Sequence, residues 1–150
     1  MAGEDVVALL PTGGGKSLCY QVPALVNDGI TIVISPLIAL MKDQVNRLKS
    51  LGINAEAIYS GMRPAEIDRL LDNARFGKTK LLYVSPERLK TDMFRARVQT
   101  MPVRLIAVDE AHCISQWGHD FRPSYLEVGD LRAALPGVPV LALTASATKA

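Results

Sequence analysis

A glycine-rich segment near the start of the chain constrains its fold more than any other feature. It occupies residues 12–17, reads TGGGKS, and is separated only by Pro11 from the apolar run Val6–Leu10. Positions without Cβ let the backbone turn its N–H groups inward around an anion. No glycine or proline follows Ser17 until Pro23, so a helix is expected to begin here and to add its free N–H groups and the positive end of its dipole. The segment therefore predicts a strand, a phosphate-binding turn and a helix N-terminus in that order.

The polar residues of this segment suit a nucleotide. We expect Lys16 to reach the β- and γ-phosphates as a point charge and Ser17 to offer its hydroxyl to Mg²⁺. The usual pattern begins with glycine five residues before the last glycine, where this chain has Leu10. On this stretch alone, the alternative is a glycine-rich turn that carries lysine and serine by chance. The predicted nucleotide-binding residues are Thr12, Gly13, Gly14, Gly15, Lys16 and Ser17.

A second apolar run, residues 105–108, ends in two adjacent acids. Ligands of open α/β sheets lie at the carboxyl ends of strands, so these acids are expected beside the phosphate loop. Mg²⁺ prefers oxygen ligands and keeps several waters, which suits Asp109 as a direct or water-mediated ligand beside Ser17. Glu110 would orient and deprotonate the attacking water, while the metal and Lys16 neutralise charge on the phosphoryl group. The alternative is a solvated turn or a helix cap, and the phosphate loop upstream argues against it.

Short β-branched runs alternate with helical periods along the chain, which is typical of parallel strands joined by crossover helices. Strands are predicted at 5–10, 31–35, 55–59, 80–84, 105–109 and 139–144. One helical stripe consists of Leu37, Met41, Val45 and Leu48, closed by Gly52. Another consists of Ile67, Leu70, Leu71 and Ala74, with Pro64 in its first turn. Both stripes are expected in the core. The 150 residues predict one domain of three-layer α/β type.

Composition excludes several classes of protein. Two distant cysteines provide neither a disulfide framework nor a four-cysteine zinc site. Apolar stretches such as 31–41 are too interrupted to span a membrane, and the N-terminus lacks the pattern of a signal peptide. We therefore expect no membrane partner and a cytoplasmic location, associated with the nucleoid in a bacterium. A net charge of +2 does not by itself indicate nucleic acid.

The acidic motif DEAH at 109–112, together with TGGGKS, resembles the superfamily 2 helicases. The stretch HCISQWGHDFRPSY at 112–125 is similar to the aromatic-rich loop beside this motif in the RecQ family of DNA helicases. Residues 11–21 resemble that family's nucleotide loop over its whole length, which removes the objection raised by Leu10. Segments 35–44, 83–88 and 142–148 look like further motifs of the family in the expected order. The resemblance covers essentially the entire chain.

This resemblance implies a RecA-like P-loop NTPase domain with a mostly parallel central sheet, the first of two motor domains. It implies ATP and Mg²⁺ as cofactors, and single-stranded DNA, duplex DNA and the second RecA-like domain as partners. In the family, ATP hydrolysis drives 3′-to-5′ translocation on single-stranded DNA and duplex unwinding in DNA repair and recombination.

The family's coupling residues fall on matching positions of this chain. Coupling of nucleotide to DNA and to the second motor domain is implied for His112, Thr144, Ser146 and Thr148. Sensing of single-stranded DNA is implied for Trp117, Phe121 and Arg122. Stacking of a base on an aromatic ring contributes about 1–3 kcal/mol, which suits the two rings. A core position for Trp117 is the alternative, but its glycine- and proline-containing surroundings make a poor strand and a poor helix.

Two serine-proline pairs follow predicted strands. They are Ser35 with Pro36, and Ser85 with Pro86, the second followed by Arg88. Helix N-termini at these points can bind DNA phosphates through backbone amides. Ordinary helix capping explains the same spacing equally well.

We expect a single domain, residues 1–150, truncated at both ends relative to the family. The second motor domain supplies an arginine finger, a group that contributes about 10³–10⁵ in rate, so this chain alone is expected to hydrolyse ATP slowly or not at all. One alternative is a module that binds nucleotide or single-stranded DNA weakly without turnover. Another is a P-loop enzyme such as a small-molecule kinase, against which the aromatic and basic loop after the acids argues.

Overall fold

The computed structural model describes residues 6–10, 15–26, 28–76, 79–109 and 127–145. Within these ranges, one sheet contains β1 (Val6–Leu10), β2 (Ile30–Ile34), β3 (Ala55–Ile58), β4 (Leu81–Val84), β5 (Val103–Val108) and β6 (Val140–Ala145). Each strand overlaps a predicted one, and their ends differ by at most two residues. The strand predictions are therefore confirmed.

The sheet has the strand order β1-β6-β5-β2-β4-β3, and every neighbouring pair is parallel. The central strands β2 and β4 are buried along their whole length. Strands buried on both faces lie between two layers of helices, which explains why these segments read as nearly continuous apolar runs. This arrangement confirms the parallel α/β prediction.

Helices cover both faces of the sheet. They are α1 (Gly15–Val26), α2 (Ile38–Ser50), α3 (Pro64–Arg75), α4 (Asp92–Val98) and α5 (Glu127–Ala134), with a 3₁₀ helix at Pro86–Lys90. One core lies under α1 and α2 and includes Val33 and Tyr83, whereas the other lies under the remaining helices and includes Ile32 and Leu82. Adjacent residues of a strand belong to opposite cores because side chains alternate between the faces.

The two predicted helices are confirmed, with one correction. Met41, Val45 and Leu48 are buried on α2, and the four predicted residues of α3 are buried as well. Leu37, however, precedes α2 and is 42% exposed. Its backbone is extended, with φ −101° and ψ 91°, so its side chain does not continue the helical stripe.

Three further helical features lie outside what the sequence analysis predicted. The helix that follows the phosphate loop continues through Pro23 and ends at Val26. Neither α4 nor α5 was predicted. With seven residues, α4 is too short to show a helical period, and α5 contains Gly129, a residue that weakens helix propensity.

Candidate functional site

All six strands in the described part of the chain run in the same direction, so their carboxyl ends meet at one edge of the sheet. In spatial order they end at Leu10, Ala145, Val108, Ile34, Val84 and Ile58. The ends of β1, β6 and β5 form what we call the nucleotide half of the edge. In the sequence, the phosphate loop follows β1 and the two acids follow β5. The two serine-proline pairs follow β2 and β4, which form the serine-proline half. Asp109 lies at the boundary between the two halves.

The predicted strand and the predicted helix are present on either side of the phosphate loop. β1 ends at Leu10 and α1 begins at Gly15, with Lys16 and Ser17 in its first turn. Free N–H groups of a first helical turn, together with the helix dipole, favour an anion at this position. Thr12, Gly13 and Gly14 lie outside the described residues. The backbone thus places a helix N-terminus at the edge where a phosphate would bind.

Asp109 directly follows β5 and is 2% exposed. Its backbone N–H donates to the carbonyl oxygen of Ile34 at 2.8 Å, which ties it to the end of β2. A buried carboxylate interacts more strongly with a cation than a solvated one, because the local dielectric constant is lower. The hydroxyl of Ser17 and the carboxylate of Asp109 are hard oxygen donors of the kind that Mg²⁺ prefers. The chemistry of these two residue types therefore fits the predicted metal.

Strand β6 lies between the two parts of the nucleotide half. It pairs with β1 on one side and with β5 on the other. Two interstrand spacings separate the axes of β1 and β5 by about 9–10 Å. Thr144 belongs to β6 and pairs in register with Leu9. Asp109 therefore shares a sheet edge with the N-terminus of α1, but β5 is not adjacent to β1, and β6, which contains Thr144, ends between them.

In the serine-proline half, both serines are buried. Ser35 is 2% exposed and Ser85 is 1% exposed. Their backbone N–H groups donate to the neighbouring strands, Ser35 to the Val84 carbonyl at 3.2 Å and Ser85 to the Ile58 carbonyl at 3.0 Å. The Ser35 Oγ accepts a hydrogen bond from the N–H of Leu37 at 3.3 Å. Among the described residues, the Ser85 Oγ has no hydrogen-bond partner. The Ser35 bond closes a turn ahead of α2, and neither α2 nor the 3₁₀ helix has a side-chain cap, so ordinary capping accounts for neither serine.

Arg88 brings a half-buried cation to the serine-proline half. It lies in the 3₁₀ helix, and its Nε donates to the carbonyl oxygen of Tyr59 at 3.1 Å. A guanidinium has further N–H donors in a fixed planar arrangement that matches phosphate oxygens. One bond to Tyr59 thus orients the group while leaving it able to bind an anion.

A partly buried polar cluster joins the two halves beneath this edge, and the sequence analysis missed it. Tyr83, 1% exposed, donates its hydroxyl proton to Gln44 Oε1 at 2.7 Å. The same hydroxyl oxygen accepts a hydrogen bond from Gln21 Nε2 at 3.2 Å. Gln21 lies on α1 and Gln44 on α2. The available signal was a single hydroxyl-bearing residue in the otherwise apolar run LLYV.

A family model described as DEAD/DEAH box helicase matches residues 1–150, the whole chain. The chain belongs to the DEAD/DEAH box helicase family. In this helicase domain, the strand-loop-helix element and the buried acid after β5 occupy one edge of a parallel sheet.

The helicase domain is also similar in sequence to RecQ helicases. It is 51% identical over 145 residues to the ATP-dependent DNA helicase RecQ of Haemophilus influenzae, covering 97% of this chain and 23% of that protein. It is 53% identical over 148 residues to the RecQ of Bacillus subtilis, covering 98% of this chain and 25% of that protein. The predicted resemblance to the RecQ family is confirmed. The helicase domain spans about a quarter of the length of these curated relatives.

Solved structures of helicases share the fold. The DUF1998 helicase MrfA, crystallised with DNA and AMPPNP, has a TM-score of 0.74 at 20% identity, covering 96% of this chain and 22% of that chain. The helicase domain of Pyrococcus furiosus Hef has a TM-score of 0.71 at 21% identity, covering 99% of this chain and 31% of that chain. At these identities the likeness concerns the fold alone, and it confirms the three-layer RecA-like architecture.

Several predicted site residues of the helicase domain lie outside the described residues. They are Glu110, His112, Trp117, Phe121, Arg122, Ser146 and Thr148. Their roles stay predictions, as do those of the Lys16 and Ser17 side chains. Across the ranges that the structure does describe, no helix is both long enough and apolar enough to cross a membrane.

Proposed function

We propose that this helicase domain binds ATP with Mg²⁺ and, within a longer polypeptide, hydrolyses ATP to move 3′-to-5′ along single-stranded DNA and unwind duplex DNA. One observation carries the proposal: the N-terminus of α1 and the buried Asp109 share one edge of the parallel sheet, separated only by β6. The RecQ relatives, named as ATP-dependent DNA helicases, support the choice of substrates. Roles in DNA repair and recombination are part of the proposal.

Each residue of the nucleotide half has one task in this proposal. The loop Thr12, Gly13, Gly14 and Gly15 surrounds the phosphates with backbone N–H groups, and Lys16 neutralises their charge. Ser17 and Asp109 would hold Mg²⁺, which supplies positive charge beside the transferred phosphoryl group when bound. Glu110 accepts a proton from the attacking water, because a carboxylate is a competent base when held within hydrogen-bond reach.

The serine-proline half supplies the DNA contacts in this proposal. Arg88 is suited to phosphate, since Tyr59 orients its guanidinium. Further contacts are proposed at Ser35, Pro36 and Ser85, and the base-sensing roles stay with Trp117, Phe121 and Arg122. Coupling between nucleotide and DNA is assigned to His112, Thr144, Ser146 and Thr148. Because phosphate contacts dominate affinity, binding of single-stranded DNA should weaken as salt is raised.

The domain and its location complete the proposal. We assign residues 1–150 to one RecA-like motor domain that works against a second RecA-like domain, with ATP at their interface. The second domain would supply the arginine finger, so this chain alone should turn over ATP slowly. A cytoplasmic location, at the nucleoid in a bacterium, follows from DNA as the partner.

Substitution of the loop lysine tests the nucleotide assignment. Lys16→Ala removes the charge that faces the β- and γ-phosphates, so binding of Mg²⁺-ATP should become undetectable by calorimetry. The matched control is Lys90→Ala, which removes an exposed lysine from the 3₁₀ helix and should retain the parent affinity. Equal ATP affinity for the Lys16 variant and the parent would refute the assignment. Turnover that is absent both with and without the downstream domain would favour a binding module over a motor.

A further inference from the structure

The Tyr83 hydroxyl is placed between an element of the nucleotide half and an element of the serine-proline half. Gln21 lies on α1, the helix whose first turn contains Lys16 and Ser17. Gln44 lies on α2, the helix that follows Ser35 and Pro36. Tyr83 itself comes two residues before Ser85, on the strand that leads to the second serine-proline pair. One oxygen atom therefore connects α1, which the proposed function assigns to nucleotide, with α2 and β4, which it assigns to DNA.

The direction of both hydrogen bonds follows from the chemistry of the partners. Gln44 presents an amide oxygen, which can only accept, so the phenol proton is directed to α2. Gln21 presents its amide nitrogen, which donates to a lone pair of the same oxygen. A displacement of α1 relative to α2 lengthens at least one of these bonds. Losing either bond is costly on the Tyr83 side, because the tyrosine is buried and its hydroxyl has little access to water.

Asp109 borders the same region. Ser35, Gln44, Tyr83 and Asp109 line a gap that is too small to hold a water molecule. No water separates these side chains, so they lie close together around the gap. Gln44 and Tyr83 therefore border the same small space as the acid that we assign to Mg²⁺, and a shift of either changes the surroundings of that acid.

We propose that Tyr83 is a positioning residue that couples nucleotide binding at α1 to binding of single-stranded DNA at the serine-proline half. The proposal rests on the proposed function of this domain. Tyr83 touches neither ligand: it acts through Gln21 on the phosphate-binding helix and through Gln44 on the helix that follows Ser35. Coupling of this kind is reciprocal, so nucleotide and DNA must change each other's affinity by the same factor.

Tyr83→Phe tests this role because it removes one oxygen atom and keeps the buried ring. The affinity of the 150-residue chain for a non-hydrolysable ATP analogue with Mg²⁺ is measured with and without saturating oligo(dT). The affinity for oligo(dT) is measured with and without the analogue. The parent should show a coupling factor of at least about fivefold, as is typical of linked sites. In the Tyr83→Phe chain, the coupling factor should fall to between about one and two. The affinity for each ligand alone should stay close to that of the parent.

Two further variants complete the design. Ser50→Ala removes a hydroxyl from the last turn of α2, where it donates only to the Arg47 carbonyl of the same helix at 2.6 Å, and it should keep the parent coupling factor. Gln21→Leu removes the donor on α1 and should lose coupling as Tyr83→Phe does, so the test remains decisive if Tyr83→Phe does not fold. Thermal unfolding of each variant identifies a folding defect.

The outcomes separate this inference from the function on which it rests. A parent chain that binds neither ligand overturns both. If the parent binds both ligands but shows no coupling, or if Tyr83→Phe and Gln21→Leu keep the parent factor, the role of Tyr83 is refuted while the proposed function stands. Loss of both affinities in parallel with an unchanged factor would make Tyr83 structural. Loss of the coupling factor, with the affinity for each ligand alone retained, supports the proposal.

Discussion

Gly29 allows the sharpest stability prediction, because a methyl group at this position would collide with backbone. The residue lies between α1 and β2 and has φ +106°. A Cβ built there would be 2.3 Å from the carbonyl oxygen of Pro102 and 2.8 Å from Cγ of Arg104. The same Pro102 oxygen accepts the N–H of Ile30 at 2.9 Å, so it cannot move without disturbing the first hydrogen bond of β2. Gly29→Ala should therefore destabilise the domain strongly.

Three costs contribute to the expected loss. A positive φ costs an L-residue roughly 1–2 kcal/mol. Forcing extra atoms into a packed position costs roughly 1–3 kcal/mol, and weakening the hydrogen bond from Ile30 costs roughly 0.5–1.5 kcal/mol. Alanine recovers about 0.4–1 kcal/mol by restricting the unfolded chain. The net loss is about 4 kcal/mol, which corresponds to a fall in Tm of about 8–16 °C for a domain of this size.

Gly52→Ala is the matched control. Gly52 also has a positive φ, +82°, but a Cβ there would meet nothing within 4 Å. This variant carries the backbone strain without the collision, so its stability should fall by only about 1 kcal/mol, or about 2–4 °C in Tm. Urea unfolding followed by circular dichroism should give an unchanged slope and a lower midpoint for both variants.

The comparison of the two glycines decides the argument. Equal losses of stability would show that the contact with Pro102 contributes nothing, and a Gly29 variant as stable as the parent would refute the steric reasoning altogether. Gly29 precedes the amino end of β2, at the edge of the sheet opposite the candidate site. Affinity for Mg²⁺-ATP should therefore be unchanged below the unfolding transition.

Three further predictions concern the proposed function, the first two in a longer polypeptide that includes the second motor domain. Glu110→Gln should stop turnover while leaving ATP bound, since it removes the base and keeps the phosphate contacts; parallel loss of binding and hydrolysis would make Glu110 structural. Phe121→Ala should lower DNA-stimulated ATPase far more than DNA binding or basal ATPase, whereas a core role would cost about 3–5 kcal/mol and lower every activity together with Tm. Ser85→Ala should leave Tm unchanged or slightly raised, because it removes a buried hydroxyl that has no partner among the described residues. A marked fall in Tm would contradict that account. Titration with oligo(dT) would show whether the hydroxyl contributes to DNA binding.

Local pattern was sufficient for much of this domain. The apolar runs at the six strands, the helical stripe of α3 and the strand-turn-helix order at the phosphate loop are all properties of consecutive or closely spaced residues. Backbone conformation and amphipathic spacing are set over such short distances. Leu37 shows the limit of the method: its spacing fits the stripe of α2, but its extended backbone places it before the helix.

The parallel α/β class could be predicted from the sequence and is confirmed, whereas the phosphate loop and the role of Asp109 stay predictions; each rests on residue types at short fixed spacing. Only the tertiary structure decided that β6 separates β1 from β5 and that Ser35 and Ser85 are buried. It also brought Gln21 and Tyr83 together across 62 residues of sequence. The physical reason is that strand order and burial arise from long-range packing of helices against both faces of the sheet, and an apolar run has the same local pattern wherever it enters the sheet.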